Sequence, residues 1–220
     1  MSHDDTPPQT GSAVSDEWPV ALRGVTESVS ATLGPNDRWN MAALGLHAPD
    51  DAGDPVTATT WGSTRTKRNF HRQGEGVIQF TPDPREFVDA AVTIREEPDP
   101  VLPHADAWVE VAVTAVDSGK QDGTEWEQWE LRPTETGTVE RERPMTINRG
   151  FYAVVDATVA ASRLDVAAFD TAMLLNRLQY FETIVEKTGG PNERAAFETL
   201  SAVTEWRSLA AEHADRNESF

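Results

Sequence analysis

The spacing of apolar positions changes character near Pro144. Upstream, short alternating or β-branched runs are separated by Gly, Pro, Asp and Asn; downstream, apolar residues recur at helical spacing. Val25, Val29, Ala31 and Leu33 share one parity in a Ser/Thr-rich run, which predicts a half-buried strand. Gly34–Asp37 predicts a turn, and Trp39–His47 the returning arm of the hairpin. A further turn at Asp50–Pro55 leads to a strand over Val56–Trp61. Ser63 or Thr64 then caps a short helix through about Arg72 that Gly74 ends. Val77–Phe80 is a buried strand, Pro84–Val92 a short helix and Glu96–Asp106 a Pro-rich loop. Trp108–Val116 and Glu125–Leu131 pair across a turn expected at Asp117–Gly123, with Trp126 and Trp129 on opposite faces of their strand.

Beyond Pro144 the period lengthens. Phe151, Val154, Val155, Val159 and Ser162 fit one inward face of a helix starting near Asn148. Met173, Leu174, Leu178, Phe181 and Val185 do the same for a helix from Asp170 to Lys187. Gly189-Gly190-Pro191 predicts a left-handed cap followed by a proline that opens a third helix, running to about Arg207. Strands followed by helices, rather than alternating with them, indicate an α+β fold.

Composition narrows the function classes. The chain has 220 residues, 37 acidic against 19 basic ones, a net charge of -18 and no cysteine. Disulfides, thiolate nucleophiles and Cys-ligated metals are therefore excluded. Lys67, Lys120 and Lys187 are its only lysines. Acid-rich, lysine-poor composition matches a salt-rich cytoplasm, where carboxylates hold water and salt screens their repulsion. The acidity then describes the solvent and not a partner. No apolar run approaches the roughly 18 residues of a membrane span, and no basic stripe interleaved with aromatics points to nucleic acid. The five histidines show no metal spacing, no serine stands in a nucleophile elbow, and Gly74-Glu75-Gly76 is a turn rather than a dinucleotide fingerprint.

One window concentrates possible chemistry. Trp61-Gly62-Ser63-Thr64-Arg65-Thr66-Lys67-Arg68-Asn69 places hydroxyls, backbone N–H groups and cations at a strand-to-helix junction, the most basic stretch of an acidic chain. Such a junction suits an anion, phosphate in particular. It equally suits a capped surface helix whose arginines pair with neighbouring carboxylates, and the window alone leaves both open.

With the residues that follow, through His71 and Gly74 to Phe80, this window resembles the phosphate-binding segment of FMN-binding split barrels, Thr66 and Asn69 standing at the Thr-x-x-Asn positions. Asn40-Met41-Ala42 resembles the Asn-x-Ala strand that lines the flavin in that superfamily. Over Trp18 to about Arg207 the chain resembles a mostly archaeal, uncharacterised family of FMN-binding split-barrel proteins. The motifs are Gly62–Thr66 with Asn69, Thr81-Pro82-Asp83-Pro84, Asn148-Arg149 and Glu186–Pro191. The proline usual after Asn-x-Ala is replaced by Ala43.

The resemblance implies an antiparallel split β-barrel over residues 18–146 and a helical extension over 147–207 packed on it; the polar ends, 1–17 and 208–220, read from composition as disordered tails. It further implies a homodimer that holds FMN at the subunit interface, with the phosphate on the Ser63–Asn69 segment; the chain's polar start and lack of an apolar span lead us to expect it in the cytoplasm. The implied function is a flavin-dependent oxidoreductase with an unknown small-molecule substrate or electron donor; the alternative is a non-catalytic flavin carrier. The implied cofactor-binding set is Asn40, Ala42, Trp61, Gly62, Ser63, Thr64, Arg65, Thr66, Asn69, Asn148, Arg149 and Lys187. The last three each have a plainer role open: Asn148 as a helix cap, Arg149 in a structural ion pair, Lys187 as a cation at a helix C-terminus.

Overall fold

The computed structural model describes residues 18–218 except 52, 136, 165 and 167, so the expected tail at 1–17 lies outside the described residues. Strands β1 (Val25–Leu33), β2 (Trp39–His47) and β3 (Val56–Trp61) precede helix α1 (Arg65–Gln73) and strand β4 (Glu75–Phe80). Helix α2 (Pro84–Val92) and strands β5 (Arg95–Glu97), β6 (Ala107–Gln121), β7 (Thr124–Pro133), β8 (Thr138–Val139) and β9 (Ile147–Asn148) follow. Helices α3 (Arg149–Ala161), α4 (Thr171–Thr188), α5 (Pro191–Thr204) and α6 (Trp206–Glu218) end the chain. The antiparallel order β1-β2-β3-β7-β6-β4 returns to β1 and closes a six-stranded barrel. The fold is α+β, as expected.

Leu44, Leu46, Ile78, Val109, Val111 and Trp129 fill the barrel, and Phe70 of α1 joins them from one end. Trp129 buries its indole there and satisfies its N–H on Thr60 Oγ1 at 2.9 Å. β1 departs from the half-buried expectation because both of its faces are covered. Val29 and Ala31 pack outward with Met41, Ala90 of α2 and Leu102. Ser28 and Ser30, opposite Leu44 and Ala42 in the register, are buried on the other face. Their hydroxyls donate to the Leu44 and Ala42 carbonyls at 2.7 and 3.1 Å, which removes the cost of burying them.

The β6–β7 turn is tighter and later than the sequence suggests. The ladder continues to Gln121↔Thr124, leaving a two-residue loop of Asp122 and Gly123, both at positive φ. This is the Asp-Gly hairpin signal. The polar run Asp117–Gln121 hid it, because those residues form an exposed ribbon with no apolar face to alternate.

The helices build a second core from Ala153, Ala157, Leu174, Leu178, Phe197 and Trp206. α3 turns the opposite way from its predicted face. Alanines at 153, 157, 160 and 161 point inward, while Phe151, Val155 and Val159 are 47, 47 and 39% exposed. Short side chains let α3 approach α4 closely, and that close contact outweighs the larger apolar side. Met173 is also exposed rather than inward. The third predicted helix breaks at Glu205, which adopts φ 50 and separates α5 from α6. The expected tail from 208 is helical as far as Glu218. Buried Trp206 anchors it, its Nε1–H donating to Ser201 Oγ at 2.9 Å. Among the described residues no helix is long and apolar enough to cross a membrane.

Candidate functional site

β2 pairs with β3 only at Leu46↔Ala58 and His47↔Thr57. Nearer its start it leaves β3, and β5 takes Trp39–Met41 instead. The barrel wall is thus split along Ala42–Gly45, and α1 lies across the end of this opening.

The sequence of α1 assigns each of its sides. Thr64 caps it, Oγ1 accepting from Lys67 N at 3.1 Å, and Gly74 ends it at φ 67. Thr66, Asn69 and Phe70 are the buried side. The Asn69 amide donates to the Thr32 hydroxyl at 3.0 Å and to its carbonyl at 3.3 Å, while Asn40 donates to Thr66 Oγ1 at 3.4 Å. These contacts bolt the helix to the last turn of β1 and the first residues of β2.

A second flank carries Lys67 and His71, one helical turn apart. Both reach the buried Glu127 carboxylate on β7, at 3.2 and 2.9 Å. Burial pushes the Glu127 pKa up, but the hydrogen bonds from His71 and Lys67 outweigh it and hold the group below the ordinary glutamate value.

The third flank presents Arg65, Arg68 and Arg72, spaced i, i+3 and i+7. With Gly34, Asn36, Asn40, Asn69 and Glu96 they line a cavity of about 480 Å³, within the size range of small-molecule sites, roughly 300–1,000 Å³. Arg65 is ion-paired with Glu96 at 2.6 Å. Arg68 donates to the Ser63 hydroxyl and carbonyl, and Arg72 to Asn69 Oδ1 at 3.0 Å and to the Leu33 carbonyl. Neither Arg68 nor Arg72 has a carboxylate partner among the described ion pairs. Two guanidiniums without counter-charge, in a chain of net charge -18, make an anion site of the kind that phosphate fits.

The structure therefore divides the predicted site. Asn40, Arg65 and Asn69 line the cavity, and Thr66 is one hydrogen bond behind it. Ser63 and Thr64 orient Arg68 and α1, whereas Ala42, Trp61 and Gly62 lie outside the lining. Trp61 is 49% exposed, opposite Trp126 on β7. Asn148, Arg149 and Lys187 sit toward the far end of β1: Asn148 pairs with Thr26 and Asn40 with Thr32, about 20 Å apart along the strand. There Asn148 caps α3 and its amide donates to the Arg23, Val25 and Thr188 carbonyls. Arg149 pairs with Glu27 at 2.7 Å.

The turn after Lys187 is not the left-handed cap expected, since Gly189 has φ -74. Glycine is required there by close approach. A Cβ on Gly150 would stand 2.5 Å from Gly189 Cα, and one on Gly24 2.4 Å from the Thr188 carbonyl oxygen. The backbone N–H of Gly190 is already taken by Glu193 Oε2 at 3.0 Å. The sequence reading missed Arg68 and Arg72 as lining residues, although their helical spacing from Arg65 carried the signal.

Family models match residues 26–140 as "Protein of unknown function (DUF447) N-terminal domain" and residues 148–202 as "Protein of unknown function (DUF447)". The chain belongs to the DUF447 family. Solved structures similar to this DUF447 chain include an FMN-bound protein of the same family from Methanosarcina mazei, 22% identical with a TM-score of 0.45, covering 82% of this chain and 95% of that one. An FMN-binding protein from Thermus thermophilus with bound p-hydroxybenzaldehyde is 13% identical, at TM-score 0.38 over 66% of this chain and 86% of its own. Flavoredoxin from Methanosarcina acetivorans is 12% identical, at TM-score 0.38 over 60% of this chain and 76% of its own.

Proposed function

We propose that this chain binds FMN as a flavin-dependent oxidoreductase of a small-molecule substrate, with the phosphate on the arginine flank of α1. The observation that carries the reading is the pair Arg68 and Arg72, guanidiniums without carboxylate partners facing one cavity between α1 and the β1–β2 turn. Membership of a family that includes an FMN-bound protein supports it. In this reading Arg68 and Arg72 hold the phosphate, Arg65 completes the cluster, and Asn40 and Asn69 fix its position through their bonds to α1 and β1. The open edge of β2 at Ala42 and the exposed Trp61 border the flavin ring. FMN supplies the electron chemistry, while the protein supplies position and field.

Arg68→Ala tests the phosphate assignment, because Arg72 also ties α1 to β1 and its loss would mix binding with folding. FMN affinity should fall on the order of tenfold to a hundredfold, the worth of one charge-assisted hydrogen bond. Riboflavin, which lacks the phosphate, should bind as before. Lys67→Ala is the control, since Lys67 faces Glu127 on the other flank. Fluorescence titrations in molar KCl screen long-range charge effects. Equal losses for FMN and riboflavin, or a loss no greater than that of Lys67→Ala, would refute the assignment.

The carrier alternative is favoured by one feature: the cavity lining holds no histidine, and its one carboxylate, Glu96, is tied to Arg65. Bleaching of the flavin bands by NADH or NADPH separates the two readings. The same proposal includes a homodimer in a salt-rich cytoplasm, so the melting temperature should rise with KCl into the molar range.

A further inference from the structure

A carboxylate inside a cavity that otherwise gathers cations calls for a physical reason. Glu96 is the one acidic residue of the lining, and both of its oxygens are committed. Oε1 meets the Arg65 guanidinium at 2.6 Å, and Oε2 accepts from the Asn36 amide at 3.2 Å. The backbone is fixed as well. β5 pairs with β2 so that Glu96 stands opposite Asn40, and the Glu96 carbonyl accepts from Arg38 Nη2 at 2.9 Å. Glu96 is thus a built part of the cavity wall and not a loose surface charge.

Helix geometry shows what this carboxylate takes away. Arg68 and Arg72 are one turn apart on α1, about 6 Å along the axis, and Arg65 lies about 4.5 Å from Arg68 in the other direction. The row of three is long enough for two phosphates in sequence, one between Arg68 and Arg72 and a second at Arg65. Glu96 fills the second place with its own carboxylate. The two guanidiniums left without counter-charge match the roughly -1.5 to -2 of a phosphate monoester near neutral pH.

We infer that Glu96 sets the phosphate count of the cavity: it makes the site selective for a ligand ending in a single phosphate monoester and closes it to a diphosphate. A diphosphate would bring its second anionic group against a carboxylate whose guanidinium is already taken, so that group gains no contact and meets a like charge. Specificity often rests on such a repulsive element beside the attractive ones. The inference rests on the phosphate reading of the cavity and adds the class of ligand that the cavity rejects.

Inorganic phosphate and pyrophosphate test this without any flavin, by calorimetry on the full-length protein in molar KCl, where only direct contacts survive screening. Glu96→Gln should leave phosphate affinity within about twofold and raise pyrophosphate affinity on the order of tenfold, the worth of a charge-assisted hydrogen bond that Arg65 can then offer. Glu96→Ala, which also drops the Asn36 contact, should show the same gain. In Arg65→Ala/Glu96→Gln the freed guanidinium is gone, and pyrophosphate affinity should return to the wild-type level. With flavins, the wild type should prefer FMN to FAD, which carries a diphosphate, and Glu96→Gln should narrow that preference by strengthening FAD. Equal changes for phosphate and pyrophosphate in Glu96→Gln, or a pyrophosphate gain that persists in the double variant, would overturn the inference. A pyrophosphate gain in a protein that binds no FMN refutes only the flavin reading. FMN binding that depends on Arg68, with pyrophosphate affinity unmoved by Glu96→Gln, refutes only the role of Glu96.

Discussion

The two ends of β1 carry similar side chains and use them differently. At the Leu33 end, hydroxyls, amides and three arginines surround a cavity in which two guanidiniums meet no carboxylate. At the Val25 end, Gly24, Asn148, Gly150, Gly189 and Gly190 come together with Arg149, Arg23 and Glu193. There Arg149 pairs with Glu27, Arg23 and the Gly190 N–H with Glu193, and Asn148 with backbone groups from three segments, while Lys187 has no described ion pair. Residue type does not separate a candidate site from a structural joint. Whether the polar groups are satisfied within the chain does, because a satisfied group has little left to offer a ligand.

The strongest way to break this comparison is to loosen the joint. Asn148→Ala removes the α3 cap and strips buried carbonyls of their donor, so it should cost about 3 kcal/mol. The midpoint of urea unfolding should fall accordingly, while FMN affinity of the folded fraction stays unchanged. A loss of affinity without a loss of stability would make Asn148 a ligand-binding residue and the comparison false.

Glu127→Gln probes the opposite end, where the carboxylate fixes α1 from the flank away from the cavity. Exchanging two charge-assisted hydrogen bonds for weaker amide contacts should cost about 1.5–3 kcal/mol at neutral pH. The pH dependence follows from the sign of the shift. Glu127 is held below the ordinary glutamate value in the folded protein. Its stabilisation is therefore complete above that value and is lost as pH falls through the lower, folded-state pKa. Wild type and variant should converge in acid, which thermal melts across pH 3–7 would show; a constant gap, maintained into acid, would exclude the carboxylate as its source.

The smallest effect is expected for Lys187→Ala. If the turn that follows it is a joint whose N–H is filled by Glu193, this substitution should change stability by no more than about 0.5 kcal/mol. It should leave the ratio of FMN to riboflavin affinity where it was. A selective loss of FMN binding would sharpen the comparison by moving one cation from the joint to the site.

Much of this architecture is legible along the chain because it depends on neighbours in sequence. The parity of β1, the Thr64 cap and Gly74 stop of α1, the Asp83-Pro84 start of α2 and the Asn148 cap of α3 are short-range signals whose physics is local. The cation-rich window was equally visible. Decisions between two physically acceptable faces were not. α3 has an alanine side and a larger apolar side, and only the nearness of α4 selects the alanines for burial. The window has two cationic flanks, and only the placement of Glu127 on β7 and Glu96 on β5 determines which arginines remain without counter-charge. Gly189 needs no left-handed backbone; a Cβ there would stand 2.7 Å from the Val185 carbonyl oxygen, and Gly150, 39 residues earlier, is glycine because its Cβ would stand 2.5 Å from Gly189 Cα. Sequence alone determined where the longer strands and most helices begin and which segments carry charge. Tertiary structure decided which charges are matched and which faces are covered, because matching and covering depend on groups that are far apart in the chain.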